Sequence, residues 1–201
     1  MGYTALRLLA HPTRKGNLMP EYRRLYTPGS WYFFTVVTYN RQAIFDCDEV
    51  WQFLRKSIQI VKRTHPFQIG GFVLLPNHLH VLWELQENDS DFSVRWNLIK
   101  SGFTRMYKKG KSPIIERSSS QASKREQTIW QRRFWEHRIR DQQDFFKHMD
   151  YIHYNPVKHG YTGSPKDWKW STFKKYVEQG WYEIDWGECI PSDLIEKCTG
   201  E

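Results

Sequence analysis

The stretch FQIGGFVLLPNHLHVLWEL, residues 67–85, decides the fold. Phe67 to Leu75 is a β-branched and apolar run of strand length, Pro76–Asn77 breaks it, and His78 to Leu85 is a second run of the same kind. Two residues cannot carry a crossover, so the runs pair as an antiparallel hairpin. Upstream, Glu49 to Arg63 places Val50, Phe53, Leu54, Ile58 and Val61 at helical spacing, and WYFFTVVTYN, Trp31 to Asn40, is a strand. Downstream, an acidic turn at Glu87–Asp91 leads into a helix, Ser93 to Lys109, whose buried stripe is Trp96, Ile99, Phe103 and Met106. Ile129 to Ile139 is a fourth strand or extended segment. Asp141 to Asn155 is a helix that Asp141 caps and Pro156 stops. The order β-α-β-β-α-β predicts an α+β fold of the ferredoxin-like, split βαβ kind: an antiparallel sheet with helices on one face. An additional C-terminal helix follows, and then a Trp-rich segment that packs back on the core. Residues 1–29 form an N-terminal extension, 30–186 the domain, with a Ser-rich mobile loop at 111–128, and 187–201 a C-terminal tail.

Composition narrows the function. The 201 residues carry 30 Lys and Arg against 22 Asp and Glu, a formal charge of +8, and 16% are aromatic, ten of them Trp. Disorder as the global state is excluded, because disordered chains are poor in aromatics. No apolar run is long enough to span a bilayer, and the first residues show no signal peptide. Three Cys without a CxxC pair fit a reduced, cytoplasmic protein. Cations for phosphates and flat rings for bases suit a single-strand nucleic-acid binder.

Two patterns carry chemistry. In His78-Leu79-His80 the imidazoles lie two apart on a strand and share a face, while Leu79, Val81 and Trp83 point toward the helices. Two such rings converge on one ion, or are satisfied by water and neighbouring side chains. On the last helix Asp144, His148, Tyr151 and Asn155 form a polar stripe beside the apolar stripe Phe145, Met149 and Ile152. Two imidazoles and an amide oxygen are neutral ligands, so a divalent cation keeps its charge and attracts a phosphodiester. A tyrosine on the same face can then attack the polarised phosphorus. A phenol with its usual pKa of about 10 needs a base or nearby positive charge. His148, one turn before Tyr151, is a candidate base.

The residues also carry a resemblance. His78-Leu79-His80 resembles the HUH motif of single-strand DNA transposases with one catalytic tyrosine. PNHLHVLWEL, DFSVRWNLIKSGFT and RRFWEHRIRDQQDFFKHMDYIHYNPVKHG are similar to the REP-associated tyrosine transposases of bacteria, over about Glu21 to Trp186. That resemblance implies metal ligation by His78, His80 and Asn155, with Mg²⁺ or Mn²⁺ as the cation, and Tyr151 as nucleophile. Tyr154 competes for that role but lies off the Asn155 face. The implied reaction cleaves single-stranded DNA at REP-type hairpin palindromes, leaves a 5′-phosphotyrosine and a free 3′-OH, and rejoins strands without ATP. The implied location is the cytoplasm, on the nucleoid. The 111–128 loop is longer than expected for the family, and the first twenty residues have no counterpart.

Arg95, Lys100, Arg105, Arg132, Arg133, Arg138, Arg140 and Lys158 are the candidate DNA-binding cations. The competing readings are a non-catalytic hairpin binder on the same fold, a replication or plasmid-transfer initiator of the wider HUH class, and a zinc hydrolase with a third strong ligand. The sequence leaves open whether the chain works as a monomer or a dimer, and which chain supplies the tyrosine.

Overall fold

A computed structural model of the chain describes residues 26–110 and 129–188. The expectations for 1–25, 111–128 and 189–201 lie outside the described residues. The protein is α+β. Strands β1 (Trp31–Val37), β2 (Phe67–Leu75), β3 (His78–Leu85) and β4 (Trp135–Arg138) form one antiparallel sheet in the order β2-β3-β1-β4. Helices α1 (Asp48–Thr64) and α2 (Phe92–Gly110) follow β1 and β3, α3 (Gln142–Lys158) follows β4, and the short α4 spans Phe173–Glu178.

Side-chain alternation makes the sheet two-faced. Phe34, Val36, Leu79, Val81 and Trp83 join the core beneath α1 and α2, with Leu54, Ile58, Trp96 and Phe103. Phe33, Val73, Leu75 and Leu82 face the other way and pack with Met149, Tyr151 and Ile152 of α3. The α1–α2 crossing is close: a Cβ on Gly102 would stand 2.5 Å from Ser57 Oγ, and that hydroxyl donates to the Ile99 carbonyl at 2.8 Å. Acidic residues open α1 (Asp48, Glu49) and basic ones close it (Lys62, Arg63), in line with the helix dipole.

Gly70–Gly71 interrupts the alternation of β2. Pairing passes from Ile69↔Trp83 to Phe72↔Val81, so one extra residue bulges and both Ile69 and Phe72 reach the α1–α2 side. The bare backbone there lets α3 close in. A Cβ on Gly70 would meet the Trp31 ring at 2.6 Å, and one on Gly71 would meet Met149 Sδ at 2.7 Å.

Three boundaries differ from the sequence expectation. β1 stops at Val37 rather than Asn40, because the chain turns into a 3₁₀ segment at Tyr39–Arg41 in which Asn40 and Arg41 take positive φ of 50° and 52°. The fourth strand pairs over only Trp135–Arg138, with an isolated bridge at Trp130↔Thr38. Pro156 does not stop α3. It lies buried one turn from the end, where it takes an N–H from the ladder. The helix closes beyond it through His159 N–H to Asn155 O at 3.0 Å. Asp141 does cap it, accepting from Asp144 N–H at 2.8 Å.

The segment after α3 runs along the free edge of β2. Leu74 N–H donates to Trp170 O (2.9 Å), Thr172 N–H to Phe72 O (3.0 Å), and Trp168 Nε1–H to Leu74 O (2.8 Å).

Candidate active site

The register of β1 with β3 places Thr35 opposite His80 and Val37 opposite His78. Both imidazoles point to the α3 face, their ring centroids 4.9 Å apart at 84°. His80 Nδ1 is hydrogen-bonded to Thr35 Oγ1 at 2.9 Å, and His78 Nδ1 to Asn77 Oδ1 at 2.5 Å. Each Nδ1 is thus engaged with an oxygen, which leaves Nε2 of each ring as the atom that would meet a metal. Burial lowers the His78 pKa to about 3, helped by the charges of His159 and Arg41 and opposed by Asn155. Burial also depresses His80, followed by the charge of His78. Both are therefore neutral at pH 7, the form that binds a metal.

α3 brings up the other groups. Asn155 is 0% exposed, and its amide sits beside His78 without closing a hydrogen bond of normal geometry. Its Oδ1 and Nδ2, together with His80 Nε2, are buried without a hydrogen-bond partner among the described residues. Such atoms are costly to bury unless a ligand takes them. The Tyr151 ring lies 5.1 Å from that of His80, and Lys158 Nζ lies 5.1 Å from the Tyr151 centroid. Tyr151 is itself fully buried. Tyr154 packs edge-on to Trp186. The donor set thus fits a divalent cation: two oriented neutral imidazoles and an unclaimed amide oxygen.

His148 lies elsewhere on the stripe. Its ring stacks on His137 at 4.7 Å, Nδ1–H donates to Asp144 O at 2.8 Å, and the Phe33 ring touches both His148 and Tyr151. His137, Asp144 and His148 hold ligand atoms within 4.8 Å of one another, a grouping that could take a cation by residue type. However, Asp144 Oδ2 already accepts from His137 Nε2 (2.8 Å) and from both Arg140 N and Nε (3.0 Å each). Burial works to raise the Asp144 pKa, but the hydrogen bonds from Arg140 and His137 outweigh it and hold the carboxyl below the usual range. A guanidinium at that distance repels a cation, so the grouping is closed by hydrogen bonds. It was not legible in the sequence, because His137 reaches Asp144 from β4.

The candidate DNA cations separate by location. Arg105, Arg132, Arg133 and Arg140 are exposed, and Arg138 and Lys158 are half-buried. Lys100 reaches Gln131 O at 2.9 Å and lies over the Phe134 ring. Arg95 is a correction. It is 1% exposed, and its guanidinium is used up by Asp89 and by the carbonyls of His65, Pro66 and Asp91. It ties the start of α2 to the α1–β2 turn and offers nothing to a phosphate. Thr35, Asn77 and Arg41 went unnoticed in the sequence. Asn77 had one signal, its place directly before the His pair, and Thr35 had none without the register.

No protein-family model matches the chain. It is 44% identical over 183 residues to the REP-associated tyrosine transposase of Escherichia coli K12, covering 91% of this chain and 98% of that protein. The chain belongs to the REP-associated tyrosine transposases. A Haemophilus influenzae protein given the same family name is 41% identical over 169 residues, which is 84% of this chain and 94% of the relative. A solved structure of a REP-associated tyrosine transposase bound to a REP hairpin superposes with a TM-score of 0.70 at 44% identity, over 84% of this chain and 91% of that one. As a REP-associated tyrosine transposase the chain is an enzyme of a class that acts on DNA. No described helix is long and apolar enough to cross a membrane.

Proposed function

We propose that this chain is a divalent-cation-dependent transposase that cuts and rejoins single-stranded DNA at REP-type hairpins through a covalent tyrosine. The observation that carries the reading is the meeting of His78, His80, Asn155 and Tyr151 on one face between β3 and α3. The strand order β2-β3-β1-β4 supports the ferredoxin-like assignment of the scaffold.

His78 Nε2, His80 Nε2 and Asn155 Oδ1 would hold Mg²⁺ or Mn²⁺. When bound, that cation polarises the scissile phosphate as a Lewis acid. The Tyr151 oxygen attacks phosphorus, the P–O3′ bond breaks, the phenol gives up its proton, and the departing 3′ oxygen takes one. The products are a 5′-phosphotyrosine and a free 3′-OH, and the reverse attack by a 3′-OH rejoins strands. Lys158 Nζ lies over the Tyr151 ring, 5.1 Å from its centroid, and brings a cation to the site. Thr35 and Asn77 orient the imidazoles. Arg105, Arg132, Arg133, Arg138 and Arg140 are offered to DNA phosphates. His148, turned toward His137 and Asp144, is left as the assisting base only if its helix shifts.

The tyrosine comes from the same chain in this reading. Thr172 Oγ1 is hydrogen-bonded to His153 Nε2 (2.9 Å), Tyr182 O–H donates to Asp150 (2.8 Å), and Tyr176 O–H donates to Gly70 O (2.6 Å). These bonds hold α3 against its own sheet. The enzyme acts on the nucleoid, in the cytoplasm.

One observation favours a second reading, a non-catalytic hairpin binder: the Tyr151 phenol is fully buried, so DNA reaches it only when the site opens. Incubation of a labelled hairpin oligonucleotide with Mg²⁺ or Mn²⁺ decides. A denaturation-resistant protein–DNA adduct supports the enzyme, and binding without an adduct supports the binder.

A further inference from the structure

We propose that Arg41 grips the phosphate on which this site acts, a role that rests on the reading above and for which the chain carries a built position. The turn that bears Arg41 is fastened to the metal-ligand hairpin. Val37 is paired with His78, and Thr38 N–H and Oγ1–H both donate to Asn77 O at 2.9 Å. Asn77 is the residue that receives His78 Nδ1. Any movement of the turn is therefore shared with the ligand.

The backbone is strained there. Asn40 and Arg41 are consecutive non-glycine residues at φ of 50° and 52°. Side chains with a Cβ are strained in this left-handed region. Asn tolerates it, but Arg gains nothing from it locally. The conformation is held by Tyr39 N–H to Ile129 O (2.9 Å), Arg41 N–H to Thr38 O (3.1 Å) and Gln42 N–H to Tyr39 O (3.2 Å). Strain retained under so many restraints is a mark of a functional turn.

The side chain is available. Arg41 is exposed, and among the described residues no carboxylate pairs with it. The turn sets Arg41 four residues past Val37, the cross-strand partner of His78, while Lys158 Nζ lies 5.1 Å from the Tyr151 ring centroid and the His159 ring 5.3 Å from that of His78. Arg41 and Lys158 add positive charge where a cation is also to bind. That arrangement opposes itself unless an anion lies between them. A phosphodiester does this, with one non-bridging oxygen toward the His78–His80 side and the other in the guanidinium fork. Arg41 touches substrate in this arrangement and carries no proton.

The test uses the full chain. Hairpin oligonucleotides with one neutral methylphosphonate, scanned across the single-stranded positions at the stem foot, are bound to Tyr151→Phe and to Tyr151→Phe/Arg41→Ala. At one position the neutral linkage should cost the first protein about tenfold in affinity and the second less than about twofold. Equal losses in both proteins at every position would overturn the proposal. In the otherwise intact chain, Arg41→Ala should cut single-turnover adduct formation by about a hundredfold with Mn²⁺ affinity unchanged or tighter. Arg41→Lys should recover only part of that, since an ammonium lacks the fork. Cleavage by Arg41→Ala at the parental rate also overturns it. If the parental chain forms no adduct, the transposase reading fails, and the methylphosphonate comparison still decides the role of Arg41.

Discussion

The rings of His80 and Tyr151 lie 5.1 Å apart with their planes crossing at 71°, although one belongs to a central strand and the other to the last long helix. The contact exists because Gly70 and Gly71 let α3 sit directly on the sheet. It puts a phenol beside an imidazole whose buried Nε2 has no hydrogen-bond partner among the described residues.

Tyr151→Phe should abolish the covalent adduct and leave hairpin affinity and Mn²⁺ binding intact. The ring keeps its packing with Phe33 and His80, so the stability change should stay within about 1 kcal/mol. Tyr154→Phe should keep the adduct. Denaturing gels with labelled oligonucleotide and urea unfolding read both effects, and an adduct persisting in Tyr151→Phe would remove that residue from the mechanism.

His78→Ala and His80→Ala should each eliminate cleavage while changing hairpin affinity by less than about tenfold, because phosphate contacts supply most of it. Asn155→Ala should weaken the ion without removing it. Chelation should stop the reaction, and added Mg²⁺ or Mn²⁺ should restore it. Calorimetric Mn²⁺ titrations of the three variants check the ligand set, and unchanged Mn²⁺ affinity in Asn155→Ala would strike the amide from it.

Gly70→Ala should destabilise the fold by about 1–3 kcal/mol, since the new methyl meets the rigid Trp31 ring at 2.6 Å. Adduct formation, measured well below the unfolding midpoint, should fall more than stability accounts for, because the displaced Trp31 ring packs edge-on against Phe145 of α3, the helix that bears Tyr151. Parental activity would mean the site tolerates a looser helix.

Arg95→Met should cost about 2–4 kcal/mol of stability, because it leaves Asp89 and the carbonyls of His65 and Pro66 without their donor. DNA affinity at a temperature where the variant stays folded should be unchanged. Arg132→Ala/Arg133→Ala should do the reverse, keeping stability and lowering the slope of log K against log salt by up to about 2. Fluorescence anisotropy across a salt series separates the two.

Acidification should expose the Arg95–Asp89 pair. The hydrogen bond from Arg95 holds the Asp89 carboxyl below its ordinary value of 3.8, against the pull of burial. The folded state thus binds fewer protons than the unfolded one near that pH. The stabilisation is complete above 3.8 and is lost as pH falls through the lower folded-state value. Urea midpoints should therefore drop between pH 5 and 3 more steeply in the parent than in Asp89→Asn. Parallel curves would show that the pair contributes nothing.

Much of this protein was readable in one dimension. Both runs of the 67–85 hairpin have the boundaries their composition implies, since apolar runs of strand length and a Pro–Asn break are local signals. The shared face of His78 and His80 follows from strand geometry alone, and the stripe Tyr151–Asn155 from helical spacing. Other features depend on groups far apart along the chain. The glycine bulge that seats α3, the Thr35 hydroxyl that holds the His80 ring and the strained turn bearing Arg41 answer to neighbours on other strands. So does the fate of Arg95, which looked like one more surface cation and is a buried tie. Periodicity records which way a side chain points, because that is a property of the local backbone. What stands in front of it, and how much water is left there, is decided only when sheet and helices close.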